Sequence, residues 1–385
     1  MHQIADSLNK LYKEKYNHSP HLFRSPGRIN IIGEHTDYND GFVLPAAIDK
    51  AVYMATGKRD DSVISLFSVA FNETFETHLD TVAKTFRDWP NYILGVVDQL
   101  QKRGYAIGGF NLMVDADLPI GAGLSSSAAI ECATVFALND MFDLQLSRHA
   151  MIDIAQKAEH TYAGVMCGIM DQFASMFGRK GFVMKLDCRS MEFEYVPFAA
   201  DGLSILMLNT NVKHSLASTA YNTRRQECSQ GLAWIQEAYP EVMSLRDASE
   251  SMLDRMVSPR DATIDKRCRF IVQEISRLQA ACNDLVKGDM VALGRKMYDT
   301  HSGLRNMYEV SCRELDFLVD AVADHPGVLG ARMMGGGFGG CTINLVKHEF
   351  VDELITVLSK KYEKAMGLPL TAFTVQIENG TEEIG

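Results

Sequence analysis

The sequence predicts two domains, each built from strands and helices together, and three observations point there. The chain runs to 385 residues, beyond the ~250–300 at which a single hydrophobic core stops growing. Short alternating or β-branched runs are interleaved with segments of helical spacing. "LSILMLNT" at 203–210 then opens a second set of strands and helices. The boundary is expected near 195–202, dividing the chain into 1–198 and 199–385.

In chain order, Ile4, Leu8, Leu11 and Tyr12 give residues 2–16 a helical spacing. "RINIIGEHTDYNDGFVLPAAI" at 28–48 predicts strand, turn, strand. Asn39-Asp40-Gly41 marks the turn, because glycine tolerates positive φ. "AVYMAT" and "SVISLFSVAF" continue as short strands, and "WPNYILGVVDQLQKRG" is a helix with proline in its first turn and a glycine stop. "FNLMVDADLP" alternates as a strand. Residues 125–143 place Ile130, Thr134, Ala137, Leu138 and Met141 on one face of a buried helix. Helices follow over 148–164 and in "CGIMDQFASMFG" (167–178). In the second half, 221–300 is mostly helical by period. "GVLGARMMGGGFGGCTINLV" reads as two strands joined by a glycine-rich turn, and "AFTVQIE" as a terminal strand that packs back on the first domain. No repeat of solenoid period is present.

Composition narrows the function. Net charge is −11, which disfavours a nucleic-acid or anionic-membrane binder, since such partners are met by basic patches. It leaves room for a phosphorylated small ligand held by local positive groups or a metal. No apolar run approaches the ~20 residues of a membrane span. "MHQIADSLNK" lacks the basic start and apolar core of a secretory signal. Eight scattered cysteines without C-x-x-C spacing read as reduced thiols. A cytoplasmic protein without structural zinc is expected.

"LPIGAGLSSSAAI" at 118–130 sets two glycines and three serines before an alanine-rich run. The first amides of a helix have no internal partner and carry the positive end of its dipole. A phosphate chain fits there, with glycines letting the backbone close on it and a serine oxygen available to Mg²⁺. The plainer reading is a serine-capped helix after a loop. A Walker loop is excluded, because no lysine follows; a hydrolase nucleophile elbow is excluded, because Ser125 and Ser126 lack the second glycine. Gly335, Gly337 and Gly340 satisfy G-x-G-x-x-G formally, but "CTINLV" after them is a strand, whereas a dinucleotide fingerprint opens a helix. Close backbone approach is the better reading of that turn.

Three motifs thus stand in order: "GRINIIGEHTDYNDGFVLPAAID" (27–49), "LPIGAGLSSSAAIE" (118–131) and "GGGFGGCTI" (335–343). Together they resemble the GHMP family of small-molecule kinases, which includes galactokinase, homoserine kinase, mevalonate kinase and phosphomevalonate kinase. Arg28, Asn30, Gly33, Glu34, His35, Asp37 and Tyr38 closely resemble the galactokinase signature within it. "AEHTYAGVMCGIMDQFAS" (158–175) and "STAYNTRRQEC" (218–228) resemble further galactokinase segments.

The resemblance implies a two-domain α+β GHMP-kinase fold. The N-terminal domain would be mixed-sheet (ribosomal S5 domain 2-like) and the C-terminal one a ferredoxin-like α/β sandwich. It implies galactose and MgATP as substrates of a monomer, with Asp171 as base and Arg28 as its partner. Sugar contacts would come from Glu34, His35, Thr36, Asp37, Gly168 and Tyr221. Gly121, Ala122, Gly123, Leu124, Ser125, Ser126, Ser127 and Trp89 would hold the nucleotide, and Ser127 with Glu159 the Mg²⁺. Each has a plainer alternative: Asp171 a structural partner or cap, Arg28 a surface ion pair, Glu34 to Asp37 an acidic hairpin loop, Glu159 a solvated helix face, Trp89 a core or capping residue. A kinase for N-acetylgalactosamine or another sugar, and a non-catalytic galactose/ATP sensor, are the competing functions. The complete "SSSAA" together with Arg28 and Asp171 favours the enzyme.

Overall fold

The structure, a computed structural model, describes residues 3–119, 121–212 and 217–384. Helix α1 (Gln3–Tyr16) precedes strand β1 (His21–Asn30), then β2 (Phe42–Val43), β3 (Pro45–Lys58), β4 (Val63–Ser68) and β5 (Glu73–His78). Helix α2 (Asp88–Lys102), β6 (Phe110–Ala116), α3 (Ser126–Phe142), α4 (Arg148–Ala158), α5 (Met170–Phe177), β7 (Phe182–Asp187) and β8 (Phe193–Pro197) complete the first half. The second half runs β9 (Leu203–Asn209), α6 (Ala217–Gln236), α7 (Glu250–Met256), α8 (Ala262–Lys287), α9 (Met290–Gly303), α10 (Arg313–Val322), β10 (Val328–Met333), β11 (Cys341–Lys347), α11 (Val351–Met366), β12 (Thr371–Val375) and β13 (Glu382–Glu383).

The first large sheet has the order β13-β1-β3-β6-β4-β5; its β4–β6 pair is parallel and its other pairs antiparallel, so the sheet is mixed. The second has the order β10-β11-β9-β12 and is antiparallel throughout. Strand, helices, hairpin, helix, strand in that order is the split βαβ arrangement of a ferredoxin-like sandwich. Helix α3 is buried nearly all round, as its small apolar residues Ala128, Ala129, Cys132, Ala133 and Ala137 allow. It packs on β1, β3, α2, α4 and α5, which fixes its N-terminus beside the end of β1.

Several local expectations change. The first part of the expected terminal strand, β12, stays in the second sheet, paired with β9; its last residues do pack back on the first sheet, where Ile377 bridges Ile48, and the final strand β13 pairs with β1. At the 39–41 turn it is Asp40 that takes positive φ. Gly41 is required for space, since a Cβ there would lie 2.7 Å from the Thr36 Cβ. Helix α4 ends at Ala158, and Glu159–Ala163 winds as one wider π turn. The segment 167–169 is not helical, so Asp171 lies in the first turn of α5. No helix among the described residues is long and apolar enough to cross a membrane.

Candidate active site

Strand β1 delivers Arg28 to the phosphate-loop candidate: the Arg28 amide donates to the Leu124 carbonyl at 3.1 Å. Gly27 makes this approach possible, because a Cβ there would meet Leu118 and the Leu124 carbonyl. The Arg28 Nε donates to Asp171 Oδ1 at 2.8 Å, its Nη1 to the Gly123 carbonyl, and the Ser125 hydroxyl donates to Asp171 Oδ2 at 2.6 Å. Burial pulls against the Arg28 charge, but the Asp171 and Glu34 carboxylates outweigh it and raise its pKa. Arg28 is therefore a buried, paired cation rather than a surface ion pair.

These groups open into a cavity of about 550 Å³. Of the expected residues, Arg28, Glu34, His35, Asp37, Gly121, Gly123, Ser127, Glu159, Gly168, Asp171 and Tyr221 line it. Others do not. Thr36 is fully buried, and its hydroxyl donates within the turn, 2.6 Å from the Phe42 carbonyl and 3.0 Å from that of Gly33. It shapes the loop from behind. Ala122 and Leu124 point into the core, and Ser125 reaches the cavity only through Asp171. Ser126 and Trp89 face a second, more apolar cavity of about 600 Å³, whose wall includes Phe71, Phe86 and Ile93 and shares Tyr92 with the first. The Trp89 indole donates to Glu73 at 2.7 Å.

The start of α3 lies between the two cavities. Its first intrahelical bond is Ala129 N–H to the Ser125 carbonyl, and among the described residues no side chain caps it. The serine-cap reading is thereby overturned: Ser125 sits at positive φ with its hydroxyl on Asp171 instead. Gly121 and Gly123 also take positive φ, so the loop turns its backbone as an anion cradle requires. The glycine-rich turn between β10 and β11 packs against it: a Cβ on Gly340 would lie 3.3 Å from the Ala122 carbonyl and one on Gly335 3.5 Å from that of Gly123.

Opposite the cradle, acids dominate. Glu34 is held by Arg332 at 3.0 Å and the Gly335 amide at 2.9 Å. Burial, then the Asp171 charge, push Asp37 up to about 7. Burial and Asp171 likewise raise Glu159. Glu159 is not a solvated helix face; it accepts from Ser127 and Gln172, each at 2.8 Å, and from the Cys167 thiol at 3.4 Å. Burial lowers His35 to about 4, leaving the imidazole neutral. Gly168 lies so close to Asp37 that a Cβ would overlap its carboxylate. Gln172, Arg332 and Tyr308 were not anticipated. Gln172 adjoins Asp171 as a polar residue in an apolar run, which is a legible signal; Arg332 and Tyr308 come from distant segments and carry none.

Known proteins bear on this geometry. The model of the galactokinase galactose-binding signature matches residues 10–58, that of the GHMP kinases N terminal domain 91–179, and that of the GHMP kinases C terminal 281–364. A galactokinase of Thermotoga petrophila is 40% identical over 94% of this chain and 99% of its own. The chain belongs to the galactokinase family. Another galactokinase, from Roseiflexus, is 36% identical over 98% of this chain and 96% of its own. The crystal structure of Lactococcus lactis galactokinase complexed with galactose matches with a TM-score of 0.95 at 35% identity, covering 99% of this chain and all of that one. Methanococcus jannaschii mevalonate kinase shares the fold, with a TM-score of 0.65 at 17% identity. The galactokinase signature spans β1, the loop bearing Glu34, His35 and Asp37, and β3; the N-terminal GHMP model spans α3, Glu159 and Asp171.

Proposed function

We propose that this galactokinase-family enzyme transfers the γ-phosphoryl group of ATP to the C1 hydroxyl of galactose. The observation that carries this reading is the Asp171 carboxylate, bonded by Arg28 and Ser125, between an uncapped helix start and a wall of acids. The triphosphate would lie on the Ser126 to Ala128 amides, where unpaired N–H groups and the helix dipole favour an anion. The adenine would enter the apolar cavity against Trp89. Glu34, Asp37 and the Gly168 backbone accept from or frame the sugar hydroxyls, with His35 and Tyr221 beside them.

In the transfer, the C1 oxygen bonds to the γ-phosphorus as the bond to the β,γ-bridging oxygen breaks, and the hydroxyl proton passes to Asp171. The transition state is loose, so proton removal comes late and alignment of the hydroxyl matters as much as basicity. Arg28, bonded to Asp171 at 2.8 Å, orients that carboxylate and faces the charge on the transferring group.

Ser127 and Glu159 fit a Mg²⁺ ion. They present hydroxyl and carboxylate oxygens to the cavity beside the cradle, and Mg²⁺ takes few protein oxygens together with phosphates and water. A divalent cation would also offset the cost of keeping Glu159 ionised while buried. When bound, Mg²⁺ supplies neutralisation of the phosphate charge.

We further assign 1–198 and 199–385 to the two domains, a monomeric state and a reducing cytoplasm, the last supported by eight free cysteines. ADP release with and without galactose tests the function. A kinase releases ADP only with the sugar, whereas a sensor binds both and turns over poorly. A sugar panel including N-acetylgalactosamine then sets the breadth.

A further inference from the structure

Behind the acidic wall runs a largely buried chain of hydrogen-bonding groups that the transfer reaction does not use. His35 Nδ1 lies 2.8 Å from the Tyr38 hydroxyl, which lies 2.8 Å from that of Tyr308, which lies 3.3 Å from the Cys228 thiol. Tyr308 is fully buried and belongs to the second half of the chain, 270 residues from Tyr38. The Tyr308 ring centre is 4.7 Å from that of His35. His35 itself is held at φ +63 with its carbonyl accepting from Asn39 at 3.0 Å. Such a conformation is strained for a non-glycine residue and persists only where its surroundings enforce it. Among the described residues, His35 Nε2 is buried with no hydrogen-bond partner, in a ring that lines the cavity.

We propose that Tyr38 and Tyr308 are positioning residues that fix the His35 proton on Nε2, making His35 a hydrogen-bond donor in a sugar wall dominated by carboxylate acceptors. This rests on the reading of His35 as a sugar contact. A neutral imidazole has one donor and one acceptor nitrogen, and each phenol has one proton. Burial keeps both phenols neutral. The chain therefore has two proton arrangements. In one, the thiol donates to Tyr308, Tyr308 to Tyr38 and Tyr38 to Nδ1, leaving N–H at Nε2. In the other every bond is reversed and Nε2 is a bare acceptor. The surroundings decide between them. Glu34 is the carboxylate whose charge acts most on the ring, and it lines the same cavity as His35, Asp37 and Asp171. A bare Nε2 would set one more acceptor among the carboxylates of Glu34, Asp37 and Asp171. Arg224, the opposing charge, is committed elsewhere, to the Tyr308 carbonyl at 2.7 Å and to Glu227 at 3.0 Å. A sugar hydroxyl facing His35 is thus read as an acceptor, which the carboxylates cannot do.

The test is nitrogen-15 NMR of histidine-labelled protein, with the His35 signals assigned by their absence in His35→Asn. The expected spectrum at neutral pH has the proton on Nε2 and a bare Nδ1. Tyr308→Phe and Tyr38→Phe should shift that balance and raise the KM for galactose roughly tenfold, the effect of a misaligned buried donor. The kcat and the KM for ATP should stay within about twofold of wild type, since lost ground-state binding moves KM alone. A wild-type proton on Nδ1 overturns the proposal, as does Tyr308→Phe with an unchanged His35 spectrum, whatever its KM. If His35→Asn leaves the galactose KM unchanged, it is the sugar-contact reading that fails, while the proton position is still read directly.

Discussion

The Arg28 guanidinium and the Asp171 carboxylate meet at 2.8 Å although 143 residues separate them, and they meet where the end of β1 crosses the first turn of α5. Both sit at the ends of regular elements packed on one core, so their separation is set by the scaffold. Replacing Asp171 with asparagine keeps the shape and removes the charge. The kcat should fall by about 10²–10⁴, the usual effect of losing a general base, with both KM values and thermal stability little changed. Near-normal turnover in the folded variant would remove Asp171 from the chemistry.

Gly168 has no room for a methyl group beside Asp37. Gly168→Ala should therefore push the Asp37 carboxylate aside and raise the KM for galactose at least roughly tenfold, since a misplaced buried acceptor loses most of its hydrogen bond. The KM for ATP should be unaffected. Steady-state kinetics with each substrate varied in turn separates the two.

Asp37 links the sugar wall to stability. Its pKa is about 7 in the fold against an ordinary 3.8, so between those values the native state holds a proton that the unfolded chain has lost. Its contribution is greatest at low pH and is lost as pH rises through 7. His35 acts in the opposite sense, because burial depresses its pKa. Comparison of wild type with Asp37→Asn cancels that term. The unfolding free energy of wild type relative to the variant, from urea titrations of the ligand-free protein, should decrease from pH 5 to pH 8. Parallel curves would show that Asp37 is not strained by burial.

Trp89 and the second cavity separate base binding from chemistry. An aromatic face under a nucleobase contributes about 1–3 kcal/mol. Trp89→Ala should raise the KM for ATP roughly tenfold, while kcat at saturating ATP changes little. An unchanged KM would assign the indole to packing, through its bond to Glu73.

Much of this site was legible because its parts are local signals. The two glycines and three serines before α3, the acidic turn after β1 and the lone carboxylate in "CGIMDQFAS" each announce themselves within a dozen residues. Geometry beyond that range was not legible. Thr36 stands among sugar-facing residues, yet the loop turns its hydroxyl to the Phe42 carbonyl. Ser125 looks like a helix cap, but the left-handed backbone there hands it to Asp171. Tyr308 lies in a π turn, Leu304–Tyr308, whose period no 3.6-residue pattern detects. It reaches Tyr38 only because the two halves of the chain pack together.

The central claim is that the triphosphate rests on the opening amides of α3 while Asp171 aligns the C1 hydroxyl of the sugar. A crystal structure of the complex with galactose, Mg²⁺ and a non-hydrolysable ATP analogue tests it most directly. The account predicts phosphate oxygens on the Ser126 and Ser127 amides, and the C1 oxygen within about 3.2 Å of an Asp171 oxygen, the reach of a general base. A triphosphate lodged away from residues 121–127, or a C1 hydroxyl turned from Asp171, would contradict it.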